Sequence, residues 1–143
     1  MFTKEEFRKW IIGLIVETII TVVFIIILGN YSSKLNNVYL HGQSMTLVNA
    51  FKIIGDPDYM RYFVWSIIFI ILLIGIGFFA FRHGLEIDGE ATNYKLLLVL
   101  GYPIVNLILL ITLLIVFYSP IFLAAIIGLI VVGVVLLAVN SEQ

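Results

Sequence analysis

The chain has 143 residues, 62% hydrophobic and only 12% charged, with a net charge of −1. So small a charged share, about half the usual one, cannot cover a water-facing surface, and a lipid-facing exterior is the simple account. The near-neutral balance excludes a basic nucleic-acid face, and the lack of cysteine excludes disulfides, thiolate metal sites and a cysteine nucleophile.

In chain order, residues 10–29, 62–81, 96–117 and 121–139 are apolar runs close to the ~20 residues a helix needs to cross ~30 Å of hydrocarbon. They are continuous rather than alternating, which excludes barrel strands. The expectation is an all-α integral membrane protein: one domain over 1–143 with four transmembrane helices. The first run is too long for a cleaved signal peptide, holds a glutamate and lacks a small-x-small cleavage site.

That glutamate, Glu17, is the one charged side chain inside any of the four runs. If the helix enters hydrocarbon near Trp10, it lies about 10.5 Å deep at 1.5 Å per residue. An unpaired ionised carboxylate there costs on the order of a few kcal/mol. All eight Lys and Arg residues fall in loops or at segment ends. Glu17 therefore holds a proton, lines a wet cavity, or meets a cation from a partner subunit or a transported ion. Helical spacing puts Trp10, Gly13, Glu17, Thr21 and Phe24 on one face, with small and hydroxyl residues flanking the carboxyl, so this face is expected to look inward.

Residues 30–61 form the next loop. Within it Leu47, Val48, Phe51 and Ile54 keep the spacing of one helical face, with Ser44 as expected cap and Gly55 as stop. A short helix along the membrane surface is expected there. Asn30-Tyr31-Ser32 matches a glycosylation sequon, a pattern common by chance. Asp56 and Pro57 read as the cap and first position of the second span. On that span Ser66, Leu73 and Gly77 share a face suited to close helix approach.

In the loop 82–95, His83, Glu86, Asp88 and Glu90 resemble metal ligands only loosely, because Asp88-Gly89 is an ordinary turn and no second histidine is near. A solvated loop is expected, with no metal and no cofactor. Thr92 reads as the cap of the third span. In that span Asn106, with Tyr102 one turn earlier, can hydrogen-bond Glu17. Pro103 removes a backbone bond and frees the Val99 carbonyl, which predicts a kink. Tyr118-Ser119-Pro120 leaves almost no loop, so helices 3 and 4 are expected to form a tight hairpin. Ala124 and Gly128 form a small-xxx-small pair, read as packing within the bundle. Trp10, Tyr62, Trp65, Tyr94 and Tyr118 fall near segment ends, as interface aromatics do.

With Lys4, Arg8, Lys9, Arg82 and Lys95 on one side and Lys34, Lys52 and Arg61 on the other, the positive-inside rule places both termini in the cytoplasm of a cell membrane, in a prokaryotic setting. At Glu17, "GLIVETIITV" resembles the first span of small multidrug-resistance transporters, whose embedded glutamate couples protons to cationic drugs. The long loop that follows departs from the short loops of that family, and the sequence assigns the chain to no family. No phosphate loop, nucleophile elbow or paired-carboxylate motif appears. Two functions remain: a non-enzymatic accessory or regulatory subunit of a larger membrane assembly, or a small oligomeric transporter or channel using Glu17. The expected partners are the lipid bilayer and other membrane subunits or further copies of the chain, with no nucleic acid.

Overall fold

The computed structural model describes residues 4–86 and 92–141. Asp88, Gly89 and Glu90 lie outside the described residues, as does the Thr92 side chain. Every regular element among the described residues is helical: α1 (Lys4–Leu35), α2 (Leu47–Ile54), α3 (Tyr59–Leu85), α4 (Thr92–Leu96), α5 (Tyr102–Phe117) and α6 (Leu123–Ser141). Wider π turns cover Asn36–Leu40, Leu97–Gly101 and Tyr118–Phe122. Three continuous helical segments are long and apolar enough to cross a membrane, Glu5–Leu40, Tyr59–Leu85 and Leu97–Ser141. The last contains a break, because Ser119 has non-helical angles (φ −130°, ψ 131°).

Helix α1 does not stop where its apolar run stops. No proline or glycine follows Gly29 until Gly42, and Tyr31, Leu35 and Leu40 are all buried. Their spacing of four and then five residues matches an α turn followed by a π turn. The π turn ends at His41, in the left-handed region with φ 51°, followed by Gly42 at φ 77°. The kink expected at Pro103 is also a π turn. The Tyr102 N–H bonds back to the Leu97 carbonyl, five residues earlier, so the wider turn falls directly before the proline.

The chain divides into two compact units. The first comprises Met1–Ile26 and Ile67–Leu114. Its core centres on Ala80, Leu98 and Tyr102, with Trp10, Leu14 and Ile76 packed against them. Trp10 meets the Tyr102 ring edge-on at 5.3 Å and stacks on His83 at 5.8 Å. Phe24 stacks on Phe69 at 4.2 Å. At Gly84 the backbone of α3 comes so close to the Leu97–Gly101 turn that an added Cβ would sit 2.7 Å from Val99 Cγ2 and 2.8 Å from Leu98 Cβ.

The second unit comprises Ile27–Ser66 and Ile115–Gln143. Helix α2 is capped by Thr46, whose hydroxyl accepts from the Asn49 N–H at 3.2 Å. The expected cap, Ser44, lies two residues too early, and Thr46 is the residue with extended backbone angles. Ala50 and Ile53 of α2 are buried, while Leu47, Val48 and Phe51 are exposed. Helix α6 packs its first turns here: Ala124 is fully buried, and an added Cβ on Gly128 would lie 2.8 Å from Ile54 Cδ1. From Leu129 onward no residue of α6 is buried. The break at Ser119 is tied down by two bonds, Ser32 Oγ donating to the Ser119 carbonyl at 2.9 Å and the Tyr59 hydroxyl to the Ile121 carbonyl at 2.7 Å.

Candidate functional site: a buried carboxyl in the first unit

Helix α1 carries Glu17 on the face that also holds Trp10, Gly13, Thr21 and Phe24. Thr21 is 2% exposed. Both Glu17 carboxyl oxygens are buried, and neither has a hydrogen-bond partner among the described residues. The aliphatic stem is partly exposed, so the carboxyl points inward.

Asn106 of α5 is the side chain that interacts most closely with that carboxyl. It is 3% exposed. Its Nδ2 donates to the Leu73 carbonyl of α3 at 3.0 Å, whereas its Oδ1 is buried with no donor. Gly77, one turn from Leu73, makes room: a Cβ there would lie 3.4 Å from both Cβ and Nδ2 of Asn106. Tyr102, one turn earlier on α5, lies within electrostatic reach of Glu17. Its hydroxyl proton is committed elsewhere, to the Trp10 carbonyl. The same hydroxyl would sit 3.1 Å from a Cβ added at Gly13. Three helices thus converge on one polar point holding three acceptor oxygens and one further donor, the second N–H of Asn106 Nδ2.

The other residues read from the sequence fall elsewhere. Ser66 is fully buried in the second unit and donates to the Tyr62 carbonyl of its own helix at 2.7 Å. Ala124 and Gly128 belong to the contact of α6 with α2. His83 stacks on Trp10 and Phe79, and Glu86 is exposed.

A second polar cluster had no local signature. Asp56 accepts from the Tyr31 hydroxyl at 2.9 Å, the Tyr39 hydroxyl at 2.8 Å and the Asp58 N–H at 3.1 Å. The last of these closes a local turn ahead of the helix rather than capping it: α3 begins at Tyr59, so Asp56 and Pro57 lie in the preceding turn and not at the cap and first helical position expected of them. Partial burial pushes the Asp56 carboxyl up. The Tyr39 hydroxyl, the Asp58 N–H, the Tyr31 hydroxyl and the charge of Lys34 outweigh that and hold it below the ordinary carboxylate range.

No family model, curated protein or solved structure matches the chain.

Proposed function

We propose that this chain is a small multi-pass membrane protein that takes up a proton, or a small cation in its place, at Glu17. The observation that carries the reading is the buried set of Glu17 Oε1, Glu17 Oε2 and Asn106 Oδ1, none of which accepts a hydrogen bond among the described residues. Unpaired buried acceptors of this kind each cost about 1–3 kcal/mol, and ionisable groups at membrane depth are functional as a rule. A proton arriving at Glu17 forms an O–H bond and converts one acceptor into a donor, for which Asn106 Oδ1 is the available receiver. A small cation satisfies the same three oxygens without that bond. The charge on a partner's side chain fits less well, because the carboxyl faces its own unit.

On this reading the chain crosses the membrane four times with both termini inside, α5 and α6 being consecutive crossings in a tight hairpin at Ser119-Pro120. The five-to-three distribution of Lys and Arg supports that orientation. A second reading, an accessory subunit of a larger assembly, is favoured by the uncovered apolar length of α6 beyond Gly128.

Reconstitution into liposomes with an entrapped pH-sensitive dye tests the choice. Under an imposed proton or cation gradient, the wild-type chain should dissipate the gradient and Glu17→Gln should not, although the variant keeps size and hydrogen-bonding capacity. Equal flux in both, or none in either, would set the transport reading aside in favour of the accessory subunit.

A further inference from the structure

The second unit contains a cleft of about 430 Å³, within the ~300–1,000 Å³ range of small-molecule sites. We propose that it binds a lipid with an uncharged, hydroxylated headgroup, the head seated among serine and amide side chains and the acyl chains lying along α6. This rests on the reading of the chain as membrane-spanning, though not on any role for Glu17.

One wall of the cleft is polar: Ser32, Ser33, Asn36, Gln43 and Ser44. Ser32 already donates to the Ser119 carbonyl. No hydrogen bond among the described residues occupies the side chains of the other four, so the wall offers both donors and acceptors. The apolar part of the lining is Leu40, Pro120 and Leu123. Among the described residues no charged side chain lines the cleft. Lys34, next in sequence to Ser33, is exposed and outside it. An ionic headgroup would lose hydration here and gain no counter-charge, whereas a neutral polyol exchanges water for hydroxyl and amide partners.

Two further features favour a lipid over a free polyol. The cleft begins just past the end of the first apolar run, at Gly29-Asn30, the level at which headgroups lie if that run spans. Its apolar wall leads at Leu123 into α6, whose outward side chains from Leu129 on are almost all aliphatic. Asn36 and Leu40, which both line the cleft, are the two ends of the π turn Asn36–Leu40, a backbone form often found at functional sites.

The full chain, purified in mild detergent, would be offered equal amounts of monoglucosyl diacylglycerol, phosphatidylglycerol and phosphatidylethanolamine with the same acyl chains. Native mass spectrometry then reads which lipid stays bound. The glucolipid should be retained over both others. Retention should fall about tenfold in the double variant Asn36→Ala/Ser44→Ala, as expected for two lost hydrogen bonds. Should that variant unfold in a thermal melt, Ser33→Trp fills the cleft from an exposed position and should also abolish retention. Equal or greater retention of phosphatidylglycerol would overturn the proposal, as would undiminished glucolipid binding in folded variants. Displacement of the lipid by free methyl glucoside would reassign the cleft to a soluble polyol and overturn the lipid as its occupant.

Discussion

Glu17 and Asn106 together bury three oxygens that accept no hydrogen bond among the described residues, an arrangement selected against unless it serves a purpose. Replacing Glu17 with leucine removes two of those oxygens while keeping the volume nearly constant. Glu17→Leu should therefore raise stability in detergent by about 1–3 kcal/mol, read as a higher midpoint of thermal unfolding, while ending any proton uptake. A variant less stable than wild type would show that the carboxyl is satisfied in the folded protein. Gly84 marks the opposite kind of constraint. A methyl group there meets Val99 and Leu98 at less than 3 Å, so Gly84→Ala should cost about 1–3 kcal/mol in the same melt. Asp56 sets a pH dependence. Its carboxyl is held below its ordinary value in the folded state, so its contribution is present above the unfolded value of about 3.9 and is lost as pH falls through the folded value. Asp56→Asn should lower stability at neutral pH by about 1–2 kcal/mol and flatten the acid limb of the stability curve below about pH 4. An unchanged acid limb would assign that limb to other carboxyls.

At the level of elements, the short helix α2 depends on its Thr46 cap, and Thr46→Ala should weaken protection of the Asn49 amide in hydrogen exchange, at a cost of about 1 kcal/mol. Orientation is testable separately. On intact cells an impermeant thiol reagent should label Asn37→Cys and not Ser141→Cys, and the reverse pattern would invert the topology. Much of this level was legible in the sequence, because apolar runs of about twenty residues fix where long helices lie whatever surrounds them. The inward face of α1, from Trp10 to Phe24, followed from spacing alone. The continuation of α1 to Leu40 did not, since polar residues from Asn30 to Asn37 resemble a loop and only burial of Tyr31, Leu35 and Leu40 shows otherwise. Thr46 was passed over for Ser44 because two candidate caps two residues apart differ only in backbone angles. The tyrosines on Asp56 come from 25 and 17 residues away, and Gly84 meets its neighbours across a turn. No local pattern encodes such pairings. At the carboxyl, the sequence named Glu17, Asn106 and Tyr102 as candidates, but chain spacing could not tell that Tyr102 spends its proton on Trp10.

For the molecule as a whole, the side chains that are exposed in the fold are largely its own isoleucines, leucines, valines and phenylalanines. Burial is concentrated in leucines, aromatic residues and small residues. The consequence is calorimetric. In a soluble domain, unfolding uncovers apolar surface to water and the heat capacity rises by about 12–15 cal/mol/K per residue. On the proposed membrane-spanning reading, the outward aliphatic side chains meet detergent or lipid before and after the helices separate, so little new apolar surface reaches water. Scanning calorimetry in detergent should give a heat-capacity increment per residue well under half the soluble value. Stability should then vary almost linearly with temperature, with no maximum near room temperature and no cold unfolding on chilling.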